Sequence, residues 1–342
     1  MRSLVSILIP AYNAESWIGD TIRSALAQTW PRKEIVVVDD GSTDQTLRVA
    51  RHFASQTVSI VTQENRGASA ARNRALKLCQ GDYIQWLDAD DLLSPDKVAK
   101  QMAAAQECQD TRRLLSSGWG YFMYRPSRAQ FLPTSLWCDL SPVEWLLRKM
   151  GQNLHMQTAT WLVSRTLTQA AGPWDTRLSL DDDGEYFSRV VLASDAIRFV
   201  PDAKVFYRQP GFDRLSNIDR SDKKLESQFL SMQLHVEYLR SFEESDRVRA
   251  ASLAYLQTWF GWFFEERPDL AQELGRLAAT LGGRLEAPRL PWKYFWIQKL
   301  FGWTVAKRVR QQWNRCKSSV MRSWDKALFR LEDRNFAIRP GN

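Results

Sequence analysis

The sequence predicts a doubly wound, mostly parallel α/β sheet, extended at its C-terminal end by helices. Three observations carry that fold class. Short apolar runs alternate with helix-period segments in a β-α-β-α-β-α-β order over the N-terminal part. The links between them are short. Three of the runs end in polar residues, Tyr12-Asn13, Asp39-Asp40 and Asp88/Asp90/Asp91. Parallel strands bring such ends to one crevice at the carboxyl edge of the sheet, where open α/β folds bind their ligands.

In chain order, Val5–Ile9 read as a buried strand that stops at Pro10, and Ala14–Gln28 as a helix with Trp17, Ile18, Ile22, Ala25 and Leu26 on one face. The β-branched run Glu34–Val38 suits a parallel strand. It ends in the turn Asp39-Asp40-Gly41-Ser42-Thr43-Asp44, ahead of a helix over Gln45–Phe53. Val58–Val61 form a third strand, and Asn65-Arg66-Gly67 turn into the alanine-rich helix Ala68–Cys79. The fourth strand, Tyr83–Leu87, runs straight into three carboxylates, and Ser94-Pro95 cap a helix reaching Gln109. Beyond it, Gly118–Tyr124 and Ile197–Tyr207 read as strands and Ser141–Met150 as a helix, while His155–Val163 stays open between strand and loop. Asp181-Asp182-Asp183 open a further helix, where the dipole favours acids. Lys223–Phe242 and Ser245–Glu265 read as long helices, and 288–291 as a linker. Three units follow: 1–218, a helical extension at 219–288, and a tail at 289–342.

Composition is globular, with 44% hydrophobic and 25% charged residues among 342. The four cysteines are scattered and the N-terminus does not read as a signal peptide, so a reducing cytoplasmic setting is expected. The net charge of +8 is local: residues 289–339 hold 13 Lys/Arg against 3 Asp/Glu, a balance of +10, which leaves the rest near −2. From Trp292 to Leu331 apolar residues recur every three or four positions, with Lys and Arg filling most of the others. Such a helix suits peripheral contact with an anionic membrane. It equally suits packing on the domain or on a second copy in a homo-oligomer. Nucleic acid is not expected, because the tryptophans follow the helical stripe and the remainder is not basic. No apolar run approaches the ~18 residues of a membrane span.

Chemistry concentrates in two acidic clusters. Asp88-Ala89-Asp90 can share an oxygen-loving divalent cation that bridges to phosphate oxygens, or can simply cap the next helix. Asp39-Asp40-Gly41 is either a ligand contact or an Asx-type turn.

Five blocks together resemble the family-2 glycosyltransferases of the A-type fold: Ser6-Ile7-Leu8-Ile9-Pro10-Ala11-Tyr12-Asn13; Val38 to Asp44; Asn65-Arg66-Gly67 with Ala71-Arg72-Asn73; Leu87 to Asp91; and Asp182-Asp183 with Arg189. They stand in the family's order and cover roughly residues 3–216. The resemblance implies that Pro10, Ala11 and Tyr12 pack on a nucleoside, with Glu15 near, and that Asp39, beside Asp40, binds the base. It places Arg66, Gly67 and Arg72 along ribose and phosphates, and Arg208 either near the diphosphate or, as a strand-end arginine, paired with a surface carboxylate. It makes Asp88 and Asp90 the ligands of Mg2+ or Mn2+, with Ala89 between them and Asp91 in support. It makes Asp183 the catalytic base, preceded by Asp182 where a glutamate is commoner. His155 carries no catalytic assignment.

The expected activity is inverting, metal-dependent, single-addition transfer from a nucleotide-sugar, with UDP-sugars the first guess. The acceptor would be a hydroxyl of a saccharide or lipid-linked molecule, in cell-envelope polysaccharide or glycan synthesis at the inner face of the plasma membrane. Alternatives are a sugar-1-phosphate nucleotidyltransferase, for which the glycine-rich loop after the first strand is missing, and an inactive nucleotide-sugar-binding scaffold.

Overall fold

A computed structural model describes residues 2–108, 110–209, 221–264, 266–288 and 291–337. The boundary expected at 218 and the middle of the expected linker, at 289–290, lie outside them.

The N-terminal alternation runs β1 (Val5–Ala11), α1 (Ile18–Leu26), β2 (Lys33–Asp39), α2 (Thr46–Arg51), β3 (Val58–Thr62), α3 (Ala68–Leu78) and β4 (Tyr83–Trp86). Then come β5 (Leu92–Leu93), α4 (Lys97–Cys108), β6 (Arg113–Phe122), β7 (Gln130–Phe131), α5 (Pro142–Gly151), β8 (Val163–Ser164), α6 (Arg165–Ala171), α7 (Asp182–Ala193) and β9 (Ala196–Arg208). The main sheet has the order β3-β2-β1-β4-β8 and is parallel except for β8. Its inner strands β1, β2 and β4 are buried on both faces, from Ile7, Leu8 and Ile9 to Ile35, Val37 and Ile84, which is why they read as continuous apolar runs, while the edge strand β3 is partly exposed. Register aligns Ala11 with Asp39 and Asp39 with Thr62, so the polar strand ends do share one edge.

The later strands depart from the single expected sheet. β6 and β9 pair parallel in a second sheet of order β5-β9-β6-β7, with a register shift at Ser117/Gly118. Their pairing joins residues some eighty positions apart, which no local periodicity encodes. The ambiguous stretch resolves into a 3-10 turn at Thr158–Thr160 followed by β8. The sequence reading also missed α6.

The helical extension consists of α8 (Asp222–Phe242), α9 (Asp246–Phe263) and α10 (Pro268–Thr280), of which only the first two were expected. Leu225, Met232, Val236, Leu256, Phe263 and Leu274 join the same apolar core as the sheet, so α8–α10 are built into the same body as the sheet. The tail is α11 (Phe295–Ala337), broken at Gly302, whose φ of 82° leaves the helical region. Among the described residues no helix is long and apolar enough to cross a membrane.

Candidate functional site

The β1 and β2 ends are laced to each other. Asn13, in the left-handed region at φ 48°, accepts from the Thr43 N–H (2.8 Å), while its own N–H donates to the Ser42 hydroxyl (3.0 Å). Glu15 accepts from the Gln45 N–H (2.8 Å), and its N–H donates to Asp44 (3.1 Å). Glu15, expected beside the nucleoside, therefore caps the turn into α2. Asp40 is likewise engaged: its carboxylate accepts from Gln63 and from the N–H groups of Arg66 and Gly67. It holds the turn that presents Arg66, which is itself exposed.

Asp39 differs. It is 1% exposed, and Oδ2 accepts from the Thr62 hydroxyl (3.0 Å), but Oδ1 is buried with no hydrogen-bond partner among the described residues. An orphaned buried acceptor at a strand end is a position for a ligand N–H. Tyr12 stands beside this edge, 44% exposed, with Pro10 and Ala11 behind it at the end of β1.

The acidic turn after β4 is fixed from three sides. The Thr21 hydroxyl of α1 lies 2.9 Å from the carbonyls of both Ala89 and Asp91. Asp91 is fully buried and accepts from the Arg208 N–H (2.8 Å) and from the Gln157 side chain. Arg208, expected at a diphosphate, is buried between Trp17 and Phe122, and its Nε donates to the Asp90 carbonyl (2.7 Å). Arg208 thus supports the turn from beneath, and its guanidinium also lies 3.6 Å from the exposed Asp20 carboxylate, the surface pairing that the sequence left open. Asp88 and Asp90 remain half-exposed. Among the described residues no three His, Cys, Asp or Glu groups converge on a metal position. Two carboxylates at a phosphate site still suit Mg2+, which takes one or two protein carboxylates and completes its shell with phosphates and water.

The second cluster meets the first. Arg72 donates to Asp88 (2.9 Å) with one guanidinium nitrogen and to Asp182 (2.6 Å) with the other. It also lies over the Trp174 ring (4.4 Å), whose backbone Asn73 holds by two hydrogen bonds. Rather than reaching outward to phosphates, Arg72 ties the two acidic clusters together. Burial pushes Asp182 above the usual carboxylate range, against the pull of Arg72. Asp183 is also raised, first by burial and then by the neighbouring charge of Asp181. Asp183 accepts from the Thr158 hydroxyl at Oδ2 (3.2 Å) and from the Gly184 N–H at Oδ1 (2.9 Å), whereas Asp182 carries the ion pair to Arg72. Gln157 on Asp91 and Thr158 on Asp183 make the 157–160 turn a second bridge between the clusters. His155 is exposed and stacks at a tilt on Trp119, 5.0 Å between centroids.

Helix α8 supplies positioning residues that the sequence reading missed. Ser227 accepts from the N–H groups of Ser179 and Leu180 (both 2.9 Å), Ser231 donates to Asp181, and Tyr238 donates to Glu185 (2.6 Å). Asp181 sits in the left-handed region at φ 56°, a costly conformation held by that contact. His235 completes the row. Its Nε2 meets the Lys149 ammonium at 2.7 Å and its Nδ1 the Ser231 carbonyl at 2.8 Å. Nε2 also lies 3.0 Å from the Gly184 carbonyl, so both ring nitrogens are held by fixed polar partners. Burial, then the Lys149 charge, pushes His235 down to about 3. A depressed histidine stabilises the fold above its unfolded value, so stability should fall as pH drops from 6.5 towards about 3. His235→Ala should flatten that limb in pH-dependent unfolding, lower stability at neutral pH by about 2 kcal/mol, and reduce turnover more than donor affinity.

Comparison with known proteins agrees with this architecture. Residues 6–133 match the model of Glycosyl transferase family 2. An Escherichia coli chondroitin synthase is 48% identical over 97 residues, 28% of this chain and 14% of that protein. A putative teichuronic acid biosynthesis glycosyltransferase, TuaG of Bacillus subtilis, is 40% identical over 109 residues, 31% of this chain and 43% of its own length. This chain thus spans less than half the length of either relative. The crystal structure of S. aureus TarS 1-349 in complex with UDP-GlcNAc superposes with a TM-score of 0.65 at 18% identity, covering 81% of each chain. That likeness extends the shared fold beyond residue 133 into the helical extension. Residues 6–133 are thus similar to the family-2 glycosyltransferases, and the chain shares the A-type glycosyltransferase fold of TarS.

Proposed function

We propose that the protein transfers a sugar, with inversion, from a UDP-sugar to a hydroxyl of a saccharide or lipid-linked acceptor in cell-envelope polysaccharide assembly. The observation that carries this reading is the Arg72 bridge, which joins Asp88 of the first acidic turn to Asp182 of the second and so brings the two clusters to one place. Asp39 Oδ1 suits the imide N–H of a uracil, with Tyr12 alongside. Asp88 and Asp90 would hold Mg2+ or Mn2+, which would neutralise charge on the departing nucleoside diphosphate. Asp183 takes the acceptor proton, for which a carboxyl lifted towards neutrality is better matched than an ordinary one. The TarS structure with UDP-GlcNAc and the envelope-polysaccharide relative TuaG support the choice of donor and process. The described cysteines are unpaired, which suits a reducing cytoplasm at the membrane's inner face.

A screen of nucleotide-sugars with Mn2+ present, reading released nucleoside diphosphate, tests the reading. Hydrolysis or transfer of at least one UDP-sugar is expected, lost on chelation and restored by Mn2+ or Mg2+. Turnover that survives thorough chelation would remove the metal from the scheme, and silence with every donor would remove the activity.

A further inference from the structure

The largest surface feature outside the cleft is α11. Val305, Val309, Trp313, Val320, Trp324 and Leu331 follow one another at steps of four or seven residues, and each is 38–70% exposed. At ~100° per residue they form one stripe about 100° wide. Arg310 and Lys317 run along one margin of it; Arg308, Lys326 and Arg330 run along the other. The domain grips the helix from the opposite side. Asp325 accepts from the Tyr124 N–H (3.0 Å) and from Arg125 Nε (2.8 Å), and Phe329 lies 6.3 Å from the Tyr124 ring. Asp325 projects roughly 150° round the helix from the middle of the stripe. Packing on the domain, one of the alternatives left open by the sequence, therefore uses the other face and leaves the stripe outward.

We propose that this stripe docks on an anionic lipid bilayer, with α11 lying in the membrane plane between the lipid and the catalytic body. An apolar stripe with cationic margins is the pattern of an interfacial helix, since long basic side chains can reach the phosphates while the stripe sinks below them. The balance of +10 over residues 289–339 argues the same way. Two copies paired stripe to stripe would bring like-charged margins together, whereas lipid phosphate neutralises them.

The contact also sets where the cleft sits. The Tyr124 ring lies 5.8 Å from Trp17, and Trp17 carries Arg208, which supports the Asp90 turn. The bilayer would thus lie along the rim of the donor site, so that an acceptor embedded in lipid could enter from it. This last step rests on the proposed transfer reaction; the docking itself does not.

Co-sedimentation of the full chain with phosphatidylcholine vesicles, alone or mixed with phosphatidylglycerol, is the test. Binding to the mixed vesicles only is expected, weakening as salt rises. The triple change Arg310→Gln, Lys317→Gln, Arg330→Gln should weaken it roughly a hundredfold. Trp313→Glu with Trp324→Glu should abolish it. Unaltered melting and unaltered donor hydrolysis in solution would show these variants folded and would separate a docking defect from a failed reaction. Binding that survives the stripe change, or no preference for anionic vesicles, would overturn the proposal. So would a dimer in light scattering that the stripe change dissociates while vesicle binding is absent.

Discussion

Asp183→Asn is expected to abolish transfer while UDP-sugar binding persists. The substitution keeps the shape of the side chain and its Oδ1 contact with the Gly184 N–H (2.9 Å). The Thr158 hydroxyl can reverse its role and accept from the new amide. What disappears is the ability to take a proton, so kcat should fall by about 10²–10⁴-fold with donor affinity little changed. Stability should move the other way. Burial and Asp181 lift the Asp183 carboxyl, so its ionised form opposes folding at neutral pH. A raised carboxyl stabilises only below its unfolded value and loses that contribution as pH rises through the folded one. Removing the charge should leave the melting temperature at or above that of the parent, the usual trade between a strained site and its function. In the parent, the same shift predicts an acid limb of activity above the ordinary carboxylate range. Isothermal titration with UDP, steady-state kinetics against pH and thermal melts would check all three. Loss of donor binding in this variant would mean that the two acidic clusters have exchanged roles.

Much of this site was legible in the sequence because its parts are local. β1, β2 and β4 are apolar runs that end in polar residues, and that junction marks a sheet edge regardless of tertiary detail. Asp39 and Asp88 stand at such junctions, and Asp183 stands in the acidic first turn of α7, a helix start equally local in the sequence. The contributions of Glu15, Asp40 and Arg208 were not legible, because a loop carboxylate or arginine chooses its partner across the fold. Asp40 binds a turn 26 and 27 residues away, and Arg208 binds a carbonyl 118 away. The α8 row was hidden for a different reason. Ser227, Ser231 and His235 recur every four residues and read as an ordinary polar face of a surface helix, yet they are fully or almost fully buried. The packing of α8 against α7, with Lys149 of α5 and Tyr255 of α9 closing on His235, turns that face inward. The second sheet failed for want of a local signal, since strands that pair across eighty residues are set by topology.

Arg72→Met should have the largest effect on stability. The guanidinium is 6% exposed and engages Asp88, Asp182 and the Trp174 ring at once. Methionine fills comparable volume but leaves two carboxylates facing each other without a cation. Breaking a buried pair from one side costs about 3–5 kcal/mol, and the partial exposure of Asp88 places this case near the lower end. The deficit should depend on pH. Arg72 pulls Asp182 and Asp183 downward, so its loss lifts both further. Their protonation relieves the repulsion, so the variant should lie closest to the parent in acid and fall behind as pH rises through the raised values. The acid limb of any remaining activity should move to higher pH for the same reason, a shift that a purely structural arginine would not produce. Arg72→Lys separates charge from geometry. A single ammonium restores the charge but cannot fork to two carboxylates. It should therefore recover most of the pH profile and only part of the stability. If denaturant unfolding and the pH–rate profile of both variants match the parent, Arg72 does not join the clusters in solution.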